Sequence, residues 1–161
     1  MNKINYKLVV VLLGIAWLLA PGATEKHSNS TSMPDKWPTD GGRISSTYGH
    51  RPDPIASSSQ WHPGIDIATD FGAPVYASGS GMVEMADWNG GYGRYVRINH
   101  GNGYKTVYGH MSNFATATGK KVAKGDVIGF VGSSGYSTGP HIHFEIIADG
   151  HAIDPSQVLK K

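Results

Sequence analysis

The sequence contains no cysteine among its 161 residues. This absence excludes disulfide bonds and lipid attachment at a lipobox cysteine, so the stability of the fold must come from its packed core. Charged residues are scarce at 16%, and no heptad pattern is present, which argues against a helical bundle. Glycine is abundant, with 22 residues, as is typical of short strands joined by turns.

Most of the chain also lacks an excess of basic residues. The formal net charge of +2 comes from Lys3 and Lys7 near the N-terminus, because the remaining chain carries 12 basic and 12 acidic side chains. A neutral body argues against a nucleic-acid partner, whose phosphates are normally met by a basic patch. The length gives room for one domain with a core of its own.

A single long hydrophobic run covers residues 8–20. It follows the two N-terminal lysines and precedes the small residues of Pro21-Gly22-Ala23, which is the pattern of a secretory signal peptide. The run is shorter than the ~20 residues that a membrane-spanning helix requires. We therefore predict a signal peptide over residues 1–23 and no stable membrane insertion after its cleavage. An uncleaved anchor is the alternative.

The rest of the chain predicts one β-rich domain. Residues 24–40 are polar and contain two prolines, which predicts a linker or an N-terminal arm that could lie across a cleft. Residues 41–161 have short apolar runs separated by glycine-rich turns, which makes the fold class all-β: a single-domain antiparallel β-sandwich or hybrid barrel. The runs predict strands at 65–68, 75–77, 81–87, 95–99, 105–108, 127–131 and 141–147, and a short turn at 154–157.

Two short motifs, His62-x-x-x-Asp66 and His141-x-His143, carry the chemistry of the sequence. Residues two or four apart on a strand share a face, so each motif presents its two donors together. Zinc accepts histidine nitrogen and aspartate oxygen, and a catalytic zinc typically has three protein ligands and one open position. The motifs therefore predict a metal site that contains His62, Asp66 and one histidine of the pair. The spacing leaves open whether that histidine is His141 or His143.

Further polar residues accompany the predicted ligands. His110, at the end of a predicted strand, and whichever histidine of the pair is not a ligand would lie beside the metal without binding it. Zinc lowers the pKa of a bound water to ~7, and a neutral histidine nearby can accept the proton. Glu145 is in phase with His141 and His143 along the strand. It either orients a ligand histidine through a hydrogen bond or has an ordinary salt-bridge or exposed role.

Three motifs resemble the signature of the lysostaphin/LytM-type zinc metallopeptidases, and the similarity covers roughly residues 41–158. The motifs are His62-Pro-Gly-Ile-Asp66, Tyr108-Gly-His110 and Ser137-Thr-Gly-Pro-His141-Ile-His143-Phe-Glu145. The resemblance implies the LytM peptidase fold and one zinc ion (Zn2+) per chain, held by His62, Asp66 and His143.

The same resemblance assigns roles to residues that do not bind the metal. It implies that His141 and His110 act as base and transition-state stabiliser. It also implies that Tyr48, in the segment Ser45-Ser-Thr-Tyr48-Gly49, assists at the oxyanion, although a packing role for this tyrosine is the alternative.

Members of this family cut peptide cross-links in bacterial cell walls. We therefore expect a monomeric, exported zinc endopeptidase that hydrolyses the peptide stems or cross-bridges of peptidoglycan in the periplasm or cell envelope of a bacterium. Two alternatives stay open. One is a catalytically silent wall-binding or amidase-activator module of the same fold, and the other is a zinc peptidase whose substrate is a glycine-rich protein.

Overall fold

The structure is a computed structural model that describes residues 33–53, 55–56 and 58–160. The predicted signal peptide over residues 1–23 lies outside the described residues, as does the first part of the predicted linker. No helix in the described part of the chain is long and apolar enough to cross a membrane.

The described residues form thirteen β-strands and two short 3-10 helices, at Gly90–Tyr92 and Pro155–Gln157. In chain order, the strands are β1 (Arg43–Ser46), β2 (Gly49–Pro52), β3 (Ser59–His62), β4 (Ile65–Ala68), β5 (Pro74–Tyr76), β6 (Gly81–Trp88), β7 (Arg94–Gly101), β8 (Tyr104–Met111), β9 (Asn113–Phe114), β10 (Lys121–Val122), β11 (Val127–Phe130), β12 (His141–Ala148) and β13 (His151–Ile153).

The strands form three antiparallel sheets. The largest has eight strands in the order β1-β4-β12-β8-β7-β6-β10, with β13 paired to the far end of β12. A three-stranded sheet has the order β5-β11-β9, and β2 pairs with β3 as a separate two-stranded hairpin. The predicted all-β antiparallel fold is confirmed.

All seven predicted strands are present, with ends that differ by at most a few residues. The strands β1, β2, β3, β9, β10 and β13, which the sequence did not predict, have two to four residues each. These strands are too short and too polar to show an alternating pattern. The predicted turn at 154–157 is the second 3-10 helix, where the Asp154 side chain accepts a hydrogen bond from the Ser156 backbone amide at 2.9 Å.

The hydrophobic core lies against one face of the large sheet. In β12, Ile142, Phe144 and Ile146 are fully buried in the core, and in β4 so are Ile65 and Ile67. Burial of such a side chain contributes about 1.5–3 kcal/mol each. Because neighbouring residues on a strand point to opposite faces, the residues between them project away from this core.

Trp37 attaches the segment before β1 to the domain. Trp37 is only 7% exposed and belongs to the core cluster, and its backbone amide donates to the Lys160 carbonyl at 3.1 Å. Its indole donates to the Gly41 carbonyl at 2.8 Å. Residues 34–39, in the second half of the predicted linker or N-terminal arm over 24–40, thus pack with the domain. Trp37 is the large apolar side chain that anchors them, and it lies in a polar, proline-containing stretch without a hydrophobic pattern.

Candidate active site

Three adjacent strands of the large sheet place most of the predicted site residues together. Asp66 on β4 pairs directly with His143 on β12, and His143 pairs in turn with Gly109 on β8, next to His110. His62 ends β3, three residues before the start of β4. Sheet registration thus brings together residues that lie up to 81 positions apart in the sequence.

A close backbone approach at Gly64 makes this convergence possible. A Cβ atom at this position would lie 2.1 Å from the Phe144 carbonyl oxygen. Only glycine therefore allows the turn between His62 and Asp66 to sit directly against β12.

His62, Asp66 and His143 form a compact group that could hold a metal ion. Oδ1 of Asp66 lies 3.1 Å from His62 Nε2 and 2.9 Å from His143 Nδ1. The two histidine nitrogens are 2.9 Å apart. All three residues are buried. Between His141 and His143, the structure thus brings His143 into this group.

In His62 and in His143, the ring nitrogen that points away from the group has a hydrogen-bond acceptor. His62 Nδ1 donates to the Thr47 carbonyl at 2.8 Å, and His143 Nε2 donates to Glu145 Oε1 at 2.9 Å. Because a carbonyl and a carboxylate accept hydrogen bonds, these nitrogens carry the protons in the neutral rings. The lone pairs of His62 Nε2, His143 Nδ1 and Asp66 Oδ1 then face one another at short range, which requires a cation or shared protons between them. Two imidazoles and one carboxylate fit zinc.

The electrostatics of the group favour a charged carboxylate. Burial alone would raise the pKa of Asp66, but its close contacts with the ring nitrogens of His143 and His62 outweigh it and hold this pKa well below its usual range. Burial alone would lower the pKa of His143, whereas its contacts with the carboxylates of Asp66 and Glu145 raise it. A buried negative charge is therefore maintained between the two histidines.

Glu145 connects the group to a second layer of contacts. Its side chain is buried, and Oε1 accepts hydrogen bonds from His143 Nε2 at 2.9 Å and from the Tyr92 hydroxyl at 2.6 Å. Burial raises the pKa of Tyr92, and the Glu145 charge raises it further, so the hydroxyl stays protonated and donates. Of the two roles considered for Glu145, the geometry is that of the residue that orients a ligand histidine.

His141 and His110 lie beside the group without joining it. His141 Nε2 is 3.7 Å from Asp66 Oδ1, and its Nδ1 donates to the Gly139 carbonyl at 2.8 Å. His110 Nδ1 donates to the Ser134 carbonyl at 2.8 Å, and the rings of His110 and His141 are 4.6 Å apart. In each ring the hydrogen bond at Nδ1 leaves the Nε2 lone pair available.

His110 has two unusual properties. Its backbone has a φ of 61°, a left-handed conformation that few residues other than glycine adopt and that is concentrated at functional sites. Burial lowers the pKa of His110 to about 4, with smaller contributions from the neighbouring His141 and His143. The ring is therefore neutral near pH 7 and able to accept a proton.

The site opens into a groove formed by two adjacent cavities of about 320 and 290 Å³. Arg51, His110 and Tyr136 line both. The larger cavity also contacts aromatic residues and ligand histidines, namely Trp61, Tyr92, His62 and His143. The smaller one is rich in hydroxyl groups and contacts Ser45, Ser46, Ser137, Thr138, Asp66 and His141. The two sides of the groove therefore differ in polarity.

Tyr48 lies outside the two cavities that form the groove. Its hydroxyl donates to the Ala152 carbonyl at 2.9 Å, and its ring packs edge-on against Trp61. Ala152 pairs with Ile147, four residues beyond His143 on β12. The predicted oxyanion role would require the Tyr48 hydroxyl to leave Ala152, whereas its contacts are those of a packing residue.

The groove is also lined by three residues that the sequence did not predict there: Arg51, Tyr92 and Tyr136. Tyr92 lies in the Gly91-Tyr-Gly93 run, so the glycines on either side were the one available signal for a special backbone position. Arg51 follows His50 in a polar stretch with no pattern, and Tyr136 lies in the glycine- and serine-rich loop between β11 and β12. No spacing rule links either residue to the histidine motifs.

Comparison with known proteins agrees with this geometry. A profile described as Peptidase family M23 matches residues 60–155, and the chain belongs to this family. DD-carboxypeptidase/endopeptidase Mpg of Neisseria meningitidis serogroup B is 47% identical over 116 residues, which cover 72% of this chain and 27% of the relative. Peptidoglycan DD-endopeptidase ShyA of Vibrio cholerae is 42% identical over 113 residues, with coverages of 70% and 26%. This chain thus spans about a quarter of the length of these relatives.

Solved structures show the same fold. The catalytic domain of the antimicrobial peptidase lysostaphin from Staphylococcus simulans matches with a TM-score of 0.65 at 32% identity. The match covers 72% of this chain and 90% of that domain. The resemblance to lysostaphin-type peptidases is therefore confirmed in sequence and in fold.

Proposed function

We propose that this protein is an exported, zinc-dependent endopeptidase that hydrolyses peptide cross-links of bacterial peptidoglycan. One observation carries the proposal. Three buried donors converge on one point, while the rings of His110 and His141 lie next to them with their outer nitrogens engaged and their Nε2 atoms available. Such an arrangement holds one metal ion per chain and leaves bases beside it, which is what hydrolysis requires.

The residues that would hold zinc are His62, Asp66 and His143. When bound, zinc supplies a water whose pKa is lowered to ~7 and a Lewis acid for a carbonyl oxygen. The neutral ring of His110 can accept a proton through Nε2. His141 can share this role or, once its own Nε2 is protonated, stabilise negative charge that develops on the scissile carbonyl. Glu145 and the Thr47 carbonyl keep the ligand histidines in the required tautomers.

The substrate class follows from the groove and from the relatives. The groove is open and contains aromatic and hydroxyl groups, which suits an extended peptide. ShyA is by its name a peptidoglycan DD-endopeptidase, and Mpg is by its name a DD-carboxypeptidase/endopeptidase. We extend this substrate class to the present chain. Peptidoglycan lies outside the cytoplasmic membrane, so the activity requires export, in agreement with the signal peptide predicted over residues 1–23.

Digestion of defined muropeptides tests the proposal. The full chain, incubated with purified sacculi and with cross-linked muropeptide dimers, should release monomers that mass spectrometry identifies, and chelation should abolish the release. A glycine-rich peptide in a parallel reaction distinguishes a peptidase for glycine-rich proteins. A protein that binds zinc but leaves sacculi and muropeptides intact would contradict the proposal and would favour a wall-binding or amidase-activator module instead.

A further inference from the structure

Among the described residues, Arg51 is the one arginine or lysine that forms an ion pair with a predicted metal ligand, Asp66. Its Nη1 lies 3.2 Å from Asp66 Oδ2, an ion pair, and donates a hydrogen bond to the Ser46 hydroxyl oxygen at 2.8 Å. The side chains of Arg51 and Asp66 are 20% and 8% exposed. An ion pair so little exposed to water is screened less than a surface pair, and the Ser46 contact fixes where the guanidinium lies.

The two oxygens of Asp66 consequently face different partners. Oδ1 faces His62 Nε2 and His143 Nδ1, and Oδ2 faces Arg51. A carboxylate with a free second oxygen can bring both oxygens to one cation. The second oxygen would then occupy the position that a catalytic zinc site keeps open.

The β2–β3 hairpin couples Arg51 to a ligand. Gly49 pairs with His62 and Arg51 pairs with Gln60, so Arg51 and His62 lie on the same face of the hairpin at diagonal positions. Movement of the hairpin would displace one predicted ligand and the cation that holds another. The hairpin is thus joined to β4 both through the chain and through the ion pair.

We infer that Arg51 is a positioning residue for the metal site: it holds Oδ2 of Asp66 so that the carboxylate presents Oδ1 alone to the ion. The inference rests on the zinc site of the proposed function and adds a residue outside the ligand and histidine motifs. Arg51 acts through Asp66, and its role is therefore visible in metal binding before any substrate is present.

Zinc titration of the metal-free full chain against a chromophoric chelator tests the inference. Partners that orient ligands typically change metal affinity by about 10–100-fold, so Arg51→Gln should bind zinc that much more weakly. Arg97→Gln is the matched control, because Arg97 also pairs with a carboxylate, Glu84, at 2.9 Å but on a distant part of the sheet. The control should keep wild-type affinity.

Cobalt substitution gives a spectroscopic readout that a general loss of stability would not move. Four-coordinate Co2+ absorbs visible light more strongly than five-coordinate Co2+, so Arg51→Gln should weaken the absorption if Asp66 binds through both oxygens. Arg51→Lys, which keeps the charge, should restore part of both signals. Wild-type zinc affinity together with a wild-type cobalt spectrum in folded Arg51→Gln would overturn the inference.

Ser46→Ala keeps the test decisive if Arg51→Gln does not fold. It removes only the hydroxyl that holds the guanidinium and should weaken zinc binding in the same direction by a smaller factor. In that case, unchanged affinity in Ser46→Ala overturns the inference. If the variants differ from wild type in zinc affinity as expected but wild type cleaves no muropeptide, the role of Arg51 is supported and the proposed function is contradicted. A wild-type protein that binds no zinc would overturn both.

Discussion

The two faces of strands β4 and β12 have opposite functions. On one face, Ile65, Ile67, Ile142 and Phe144 are fully buried in the hydrophobic core. On the other, Asp66, His141 and His143 meet at the groove. The alternation of a strand therefore lets adjacent residues serve stability and chemistry separately. Substitutions at adjacent positions should therefore impair different properties, stability on the core face and activity on the groove face.

The largest expected effect is on the groove face. His110→Ala should lower the rate of muropeptide hydrolysis by about 10²–10⁴-fold, the usual contribution of a general acid or base, while the zinc content and the thermal unfolding temperature stay near wild type. Steady-state kinetics with a defined muropeptide dimer provides the measurement. His151→Ala, at an exposed position, is the control. A rate within a few-fold of wild type would remove His110 from the mechanism.

On the core face, Phe144→Ala should chiefly lower the free energy of unfolding. Phe144 is fully buried and packs against the Tyr108 ring with centroids 5.2 Å apart. Such truncations cost about 3–5 kcal/mol, a large share of the 5–15 kcal/mol that typically stabilises a domain. Denaturant unfolding of the metal-free protein measures the loss.

His141→Ala, on the same strand but the opposite face, is the matched comparison for Phe144→Ala. It removes one hydrogen bond to the Gly139 carbonyl and should cost about 1 kcal/mol. Equal losses of stability in the two variants would contradict the division of the strand into two faces.

A smaller effect, on zinc affinity, is expected for Glu145, which contacts the predicted ligand His143. Glu145→Ala removes the acceptor of His143 Nε2 and should weaken zinc binding by about 10–100-fold. Glu145→Gln should lose less, because its side-chain oxygen can still accept the hydrogen bond. Titration against a competing chelator measures both, and Glu84→Ala, in an ion pair with Lys105, is the control. Tight zinc binding by Glu145→Ala would show that His143 keeps its orientation without this carboxylate.

The smallest effect, on the pH dependence of stability, is expected for His100, which lies outside the candidate site. His100 is buried, with Nδ1 donating to the Ser80 carbonyl at 2.9 Å and Nε2 lying 2.7 Å from the Thr106 hydroxyl. Burial lowers the pKa of His100 below its ordinary 6.5. Below about pH 6.5 the unfolded chain therefore gains a proton that the folded protein does not. Stability should fall as the pH decreases through this range.

His100→Gln should make that pH dependence shallower. One such group contributes at most about 1.4 kcal/mol for each pH unit between the two pKa values. Denaturant unfolding of wild type and variant between pH 7 and pH 5 measures the difference in slope, and His151→Gln should show none. The same slope in wild type and in His100→Gln would mean that His100 does not contribute.

The sequence predicted the parts of the molecule where a pattern repeats. The long strands and the four residues of the two metal motifs follow from alternation and spacing, and the structure adds that sheet registration places Asp66 beside His143. The short hairpin strands, Trp37 and Arg51 were missed for a common reason. Their positions depend on contacts between particular segments of the folded chain, which leave no local periodicity to detect.

The zinc content of three proteins tests the central claim most directly. Wild type, His141→Ala and His143→Ala would be purified as full chains, and their bound zinc would be measured after removal of free metal. The account predicts one zinc per chain in wild type and in His141→Ala, and none in His143→Ala. Retention of zinc by His143→Ala, with its loss from His141→Ala, would contradict the assignment of the ligand to His143.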